Sequence, residues 1–265
     1  MNTPWTGKVK PFRIYGNLYF VGTEPASSHL IATEDGLILL DSGYPQSLYL
    51  VLESIWELGF DPRDIRYIIH SHGHYDHLGA TRALLGITQA KTFLGAEDVD
   101  YANGKLDLTW AKELGHVYYE TFEPDVALHD SDMIRLGSTE IKCLSTPGHT
   151  PGTFSFFFDV QENGHTRRAG MFGGAGINSM SKDFLDAYGL SYDCRDKFFG
   201  SLEKLKKEPV DIPLGNHVGC NDTLGKAGRL HEGKENPFIA PQEWPIFLNL
   251  CRDRLLNLIH LEQKT

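Results

Sequence analysis

Hydrophobic positions along this chain follow two different periods. Alternating or continuous apolar stretches are typical of strands, and runs with a period near 3.6 are typical of helices. Strands are predicted at residues 12–21, 36–41, 65–70, 140–144, 153–160 and 169–172, and helices at 46–58, 78–85, 194–207 and 244–259. Strands interleaved with helices in two halves favour an α/β fold in which two packed sheets are covered by outer helices.

Composition and charge narrow the class of protein. The 265 residues are 41% hydrophobic and 23% charged, which is enough to bury a large core as one unit. The formal net charge of -10 argues against a nucleic-acid partner, because an acidic surface repels phosphate. No apolar stretch reaches the roughly 18 residues of a membrane span. We expect a small-molecule partner, and nothing in the sequence sets the oligomeric state.

The first residues, 1–7, lack the charged-then-apolar order of a secretory signal. A cytoplasmic location is therefore expected. The expectation becomes periplasmic or secreted if a signal peptide has been removed from the chain.

Residues 70–77 read His-Ser-His-Gly-His-Tyr-Asp-His and follow the apolar run 65–69 directly, so four of the 12 histidines and a carboxylate stand at the end of a predicted strand. Neutral imidazole is the commonest ligand for metals such as zinc, and a carboxylate completes a nitrogen and oxygen set that does not favour calcium or magnesium. The pattern predicts a metal site. The alternative is a solvated histidine-rich loop that traps metal adventitiously.

The order within this segment suggests two ions. Residues two apart in an extended segment point the same way, so His72 and His74 can bind one ion from one side. Asp76 and His77 lie where the chain is expected to turn into the next helix, and they can serve a second ion beside the first. His70 is interpreted as the last strand residue, with a packing or hydrogen-bonding role.

The motif His72-x-His74-x-Asp76-His77 after a strand resembles the signature of the metallo-β-lactamase superfamily. The family uses two further histidines. This chain offers His149 in the turn-rich stretch 145–152, and it offers His217 shortly after the strand-like residues 210–213. The resemblance implies two zinc ions per chain that share a bridging water or hydroxide. One ion is held by His72, His74 and His149, and the other by Asp76, His77 and His217.

Other residues take lesser roles. The resemblance implies that Asp41, after a buried strand, supports the metal loop, whereas the residues alone also allow a turn-capping role. Cys220 could offer a sulfur ligand beside His217, but the set of six is already complete. The four cysteines are expected to be free thiols: Cys143, Cys194, Cys220 and Cys251. The remaining histidines are expected to be ordinary surface or core residues: His29, His116, His129, His165, His231 and His260.

Within the superfamily, the His77 ligand and the segment 236–238 resemble the third lactamase subclass, B3, and its non-lactamase relatives. Gly174 and Ala175 stand where hydroxyacylglutathione hydrolases and acyl-homoserine lactonases carry a bridging aspartate. The absence of a carboxylate there argues against both of those functions. Residues 175–178 replace the serines that hold the drug carboxylate in subclass B3 lactamases, so the substrate must be held differently.

The resemblance implies an αββα sandwich of two mixed sheets flanked by helices, forming a single metallo-β-lactamase-like hydrolase domain over residues 1–265. It further implies a dinuclear zinc hydrolase that cleaves a small amide, lactam, lactone or ester by attack of a metal-bound hydroxide, with Asp76 as the catalytic residue that orients it. The alternatives are a phospho- or sulfo-ester hydrolase of the same fold, or a metal-stabilised binding protein without catalysis.

Overall fold

The computed structural model describes residues 3–116, 120–230 and 235–264. Its strands form two mixed sheets, and the first sheet follows chain order. The strands of that sheet are β1 (Phe12–Tyr15), β2 (Leu18–Phe20), β3 (His29–Thr33), β4 (Gly36–Leu40), β5 (Ile65–Ile69), β6 (Lys91–Gly95) and β7 (Val126–Leu128). The pairs from β1 to β4 are antiparallel, and those from β4 to β7 are parallel.

The second sheet has the order β12-β11-β10-β9-β8. Its strands are β8 (Met133–Leu136), β9 (Thr139–Ser145), β10 (Phe154–Glu162), β11 (His165–Phe172) and β12 (Ile212–Gly215). All its pairs are antiparallel except β11 with β12. As a result β9, β11 and β12 run in the same direction, and their carboxyl ends meet at one edge of the sheet.

The described residues contain eight α-helices. They are α1 (Leu48–Glu57), α2 (Tyr75–Leu78), α3 (Thr81–Leu85), α4 (Val99–Ala102), α5 (Lys182–Tyr188), α6 (Asp193–Leu205), α7 (Thr223–Arg229) and α8 (Glu243–Glu262). Short 3₁₀ turns occur at Pro4–Gly7, Pro45–Ser47, Pro62–Asp64, Ala96–Asp98 and Asn178–Met180. None of the helices in the described residues is long and apolar enough to cross a membrane.

Strand β10 shows how the layers are built. Phe154, Phe156 and Phe158 pack between the two sheets, whereas Phe157 packs outward against α6 and α8. Successive side chains of a strand point to opposite faces, so one apolar strand serves both cores. On the far side of the molecule α1 covers the first sheet through Val51. The αββα sandwich of two mixed sheets flanked by helices is therefore confirmed.

Two predicted elements are wrong in detail. The strand expected at 12–21 is a hairpin, because Gly16 takes a φ of 53° that turns the chain between β1 and β2. The helix expected at 78–85 is two short helices, α2 and α3, and Gly79 lies between them. A side chain at Gly79 would meet the backbone oxygen of Tyr75 at 2.4 Å, so the chain is closely packed at this break.

Candidate metal centre

The candidate site lies where loops leave the carboxyl ends of the strands. The loop after β5 contributes residues 70–77, the loop after β9 contributes His149, and the end of β12 is followed by His217. Hydrogen bonds join these loops: Phe154 N–H donates to the Ser71 carbonyl at 2.8 Å, and the Asn216 side-chain amide donates to the Gly173 carbonyl at 2.9 Å. The two sheets thus present their loops to one shared cleft.

Three histidines form a compact group in this cleft. His72, His74 and His149 each offer a ring nitrogen, and these atoms all lie within 4.8 Å of one another. The rings pack edge to face with centroid distances of 4.5 to 4.7 Å. All three side chains are buried. The structure thus brings together the three residues expected to hold the first ion.

Asp76 and His77 form a second group, in which His72 also takes part, with all three ligand atoms within 4.8 Å of one another. His217 lies against this group. Its Nε2 is 3.5 Å from Asp76 Oδ2 and 3.3 Å from His77 Nε2. All six predicted residues therefore meet in the cleft, and His72 lies between the two groups.

Hydrogen bonds fix which ring nitrogens face the cleft. His149 Nδ1 lies 3.0 Å from the Gly176 carbonyl, and His217 Nδ1 lies 2.9 Å from the Pro25 carbonyl. A carbonyl only accepts, so each Nδ1 carries the proton and each neutral ring keeps its Nε2 lone pair toward the cleft. His72 Nε2 is buried and has no hydrogen-bond partner among the described residues. A buried nitrogen without a partner is costly, and a metal ion would satisfy it.

Burial sets the charge state of the first group. It lowers the pKa of His72 and of His149 well below the usual value, and it lowers the pKa of His74 to about 4. All three rings are therefore neutral at ordinary pH, as metal ligands must be. Burial opposes charge on Asp76 too, but the adjacent imidazole of His77 outweighs it and lowers the pKa of the carboxyl.

Asp41 orients the second group through its contact with His77. It follows β4 with a φ of 59°, and its Oδ2 lies 2.7 Å from His77 Nδ1. The same carboxylate accepts hydrogen bonds from the Ser71 backbone N–H at 2.7 Å and from the Ser71 hydroxyl at 2.8 Å. These contacts direct Asp41 to the metal loop rather than to its own turn, and they orient His77 with its Nε2 toward Asp76.

Several other candidates lie outside the centre. His70 follows β5 rather than ending it, and both of its ring nitrogens are engaged, with the Phe93 carbonyl and the Thr81 hydroxyl. Cys220 Sγ lies 3.7 Å from Asn216 Oδ1 and belongs to neither metal group. All four cysteines are free, as expected.

The other histidines do not enter either group. His29 is buried, His116 is half-buried, and His129, His165 and His260 are exposed. His231 lies outside the described residues.

The strand end after β11 offers no carboxylate. A side chain at Gly174 would meet His149 Cβ at 2.8 Å and Thr153 Cγ2 at 2.7 Å, so there is no room for one. Ala175 packs in the apolar cluster with Phe172 and Met180. Neither position can bridge two ions, as the sequence indicated.

Sequence reasoning missed Asp98, which ties two ligand loops together. This buried carboxylate accepts hydrogen bonds from Gly73 N–H at 2.7 Å, Gly152 N–H at 2.7 Å and the Thr150 hydroxyl at 2.6 Å. Gly73 separates His72 from His74, and Thr150 follows His149. Burial raises the pKa of Asp98 to about 6. Nothing in the sequence distinguished Asp98 from Asp100, another acidic residue nearby.

Trp110 and Ser179 were missed as well. Trp110 has a φ of 65°, rare for a bulky residue, and its ring lies 6.0 Å from that of His74. Ser179 is buried, and its hydroxyl contacts both the carbonyl and Nδ1 of His149. Neither contact has a local signature, because each joins segments far apart in the chain.

Solved structures resemble the whole chain. A subclass B3 metallo-beta-lactamase of Bradyrhizobium japonicum aligns over 99% of this chain and 98% of its own, with 25% identity and a TM-score of 0.89. The native FEZ-1 metallo-beta-lactamase of Legionella gormanii aligns over 98% of both chains with 29% identity and a TM-score of 0.89. The GOB-18 enzyme of Elizabethkingia meningoseptica is 30% identical over 98% of this chain and 96% of its own, with a TM-score of 0.85.

Relatives found by sequence match a shorter part of the chain than the solved structures do. A protein named a probable metallo-hydrolase in Bacillus subtilis is 28% identical over 155 residues, which is 54% of this chain and 56% of the relative. An N-acyl homoserine lactonase of Bacillus thuringiensis is 26% identical over 165 residues, 53% of this chain and 60% of its own length. The chain thus spans little more than half the length of these relatives.

A family model described as the metallo-beta-lactamase superfamily matches residues 21–162. On the strength of this match, together with the fold, the chain belongs to the metallo-beta-lactamase superfamily.

Proposed function

We propose that this protein is a dinuclear zinc hydrolase of small amides, lactams, lactones or esters, acting as one domain over residues 1–265. The convergence of six side chains in one cleft carries the proposal. Five of them are imidazoles and one is the carboxylate of Asp76, a donor set that suits zinc better than calcium or magnesium.

The residues present fit two ions. His72, His74 and His149 would hold the first, and Asp76, His77 and His217 the second. Buried His72 Nε2 has no partner in the part of the chain that the structure describes, and this observation favours a bound metal over an empty polar cleft. Bound zinc would supply a Lewis acid for the substrate carbonyl and lower the pKa of water into the neutral range.

The protein supplies orientation and a proton acceptor. Asp76 is the only carboxylate among the six side chains, and an aspartate is ionised at neutral pH. We assign it the role of orienting the attacking water and accepting its proton. Ser179 and the Gly176 carbonyl fix the ring of His149, and Asp41 fixes that of His77. These contacts hold the cleft in one geometry before substrate binds.

The relatives support the substrate class. The structural neighbours are named as metallo-beta-lactamases, one of them as a di-zinc enzyme, and the Bacillus thuringiensis relative is named as a lactonase. Lactams and lactones share a carbonyl that water attacks. Zinc-loaded protein should therefore be screened against lactams, lactones, thioesters, simple esters and phosphodiesters. Turnover of a carbonyl substrate supports the proposal, and turnover of phosphodiesters alone contradicts it.

We expect purified protein from zinc-supplemented expression to hold up to two zinc ions per chain. The double variant His72→Ala/His149→Ala should lose the first site, because only His74 would remain of its three ligands. Elemental analysis by mass spectrometry measures the content. The matched control is His129→Ala/His165→Ala, which removes two exposed histidines and should keep full occupancy. Full zinc content in His72→Ala/His149→Ala would contradict the assignment.

We expect only weak hydrolysis of penicillins and carbapenems. Ser179, the serine nearest to the expected anchor position, is turned onto His149 and cannot hold a drug carboxylate. Each missing charge-assisted hydrogen bond costs about 1.5–3 kcal/mol. Steady-state assays should give a kcat/KM well below about 10⁶ M⁻¹s⁻¹, a value that lies in the middle of the usual range for enzymes. A value at or above that level would show that another residue anchors the carboxylate.

A further inference from the structure

Two cavities reach His74 and His149. The first, which we call the metal-facing cavity, has a volume of about 160 Å³ and also contacts Asp76, Trp110 and His217. The second, which we call the side cavity, has a volume of about 340 Å³ and extends away from the other ligands toward α5 and α6. A volume of that size lies at the lower end of the range for small-molecule sites.

The side cavity is apolar inside and polar at its mouth. Tyr101, Phe184 and Leu185 are buried and form its interior, and half-buried Leu108 and Leu190 extend that surface. The exposed residues Ser191, Asp193 and Lys197 lie at the outer end. Such an arrangement suits an apolar group whose inner end is desolvated.

The charged groups of the lining are already engaged. Lys197 Nζ lies 2.8 Å from Asp193 Oδ2, so the mouth carries a neutral ion pair rather than a free charge. The Ser179 hydroxyl is bound to the His149 backbone. A charged substituent would therefore lose its hydration in the side cavity without gaining a buried partner. The lining selects an uncharged group.

Trp110 and Phe184 lie between the two cavities. Trp110 lines the metal-facing cavity, Phe184 lines the side cavity, and their ring centroids are 4.6 Å apart. The left-handed backbone of Trp110 is a conformation that costs energy and persists only when its surroundings hold it. The two rings separate the cavities on one side, and His74 and His149 line both cavities.

We propose that the side cavity binds the uncharged alkyl arm of an acyl substrate, whose carbonyl lies in the metal-facing cavity. The inference rests on the proposed hydrolase function and narrows its substrates to acyl compounds with an apolar chain. The reaction is hydrolysis: the bond between the carbonyl carbon and its leaving oxygen or nitrogen breaks, water supplies the new hydroxyl, and a proton goes to the leaving group.

The first test uses zinc-loaded protein and p-nitrophenyl esters with straight acyl chains from acetyl to octanoyl. Each added methylene that enters the side cavity should raise kcat/KM about fourfold, the equivalent of about 0.8 kcal/mol per buried methylene. Leu190→Trp fills the cavity and should lower the ratio of hexanoyl to acetyl rates about tenfold. Leu250→Trp, on the exposed face of α8, is the matched control and should keep the wild-type ratio.

The second test does not need turnover. Cys194 lines the side cavity and is half-buried, so its alkylation by iodoacetamide, read by peptide mass spectrometry, reports occupancy. Octanamide should slow this alkylation at least about threefold, and acetamide should not. Protection by octanamide with no ester cleaved would support the cavity and contradict the hydrolase. Cleavage with no dependence on chain length and no protection would overturn the cavity proposal while the hydrolase stands.

Discussion

Replacing Asp76 with alanine is expected to lower kcat by about a hundredfold or more on whichever substrate the screen identifies. The side chain is proposed both to hold the second ion and to orient the attacking water, so its loss removes two contributions to the reaction. The fold should survive, because Asp76 lies at the cleft with 14% of its side chain exposed and its contacts are with His77 and His217. Steady-state kinetics and circular dichroism measure the two expectations.

The control for Asp76→Ala is Asp253→Ala, which removes an exposed carboxylate on α8 and should leave kcat unchanged. Zinc content should be measured on the same samples, because loss of the second ion alone would also lower the rate. If Asp76→Ala turns over substrate near the wild-type rate, the assigned role is wrong.

The metal motif could be predicted because it is local. His72, His74, Asp76 and His77 fall within six residues after a strand, and strand geometry alone says which of them can point together. His149 and His217 needed the family resemblance, since a single histidine in a loop carries little information. The apolar period predicted β4, β5, β9, β10 and β11 and both long helices, α6 and α8, to within a few residues, and it did not predict β3, β6, β7 or β8.

What the sequence could not show depends on contacts between distant segments. The two cavities are separated by the contact between Trp110 and Phe184, which lies 74 positions later in the chain. The hairpin at Gly16, by contrast, has a local signal that the prediction overlooked, since Gly16-Asn17 is a two-residue turn sequence between two apolar runs. Short-range patterns report which face of an element is buried, but not which distant loop lies against it.

Asp98→Ala is expected to lower the free energy of unfolding by about 2 kcal/mol or more, because it leaves two buried backbone donors without an acceptor at about 1–3 kcal/mol each. These donors are Gly73 N–H and Gly152 N–H, whereas the Thr150 hydroxyl can turn to Thr153 Oγ1, 2.8 Å away. Gly73 belongs to the loop of His72 and His74, and Gly152 belongs to the loop of His149. The carboxylate thus acts as a positioning residue that sets the distance between the ligands of the first ion. Urea denaturation of metal-free protein measures the stability loss.

The same variant should bind zinc at the first site about tenfold to hundredfold more weakly, the usual effect of losing a group that orients metal ligands. Competition with a chromophoric chelator measures this affinity in metal-free protein and requires no turnover. Asp98→Asn keeps one acceptor oxygen and should fall between wild type and Asp98→Ala in both measurements. Asp100→Ala, two positions on and half-exposed, is the matched control and should change neither. A stability loss in Asp98→Ala with unchanged zinc affinity would show that Asp98 supports the fold without positioning the ligands.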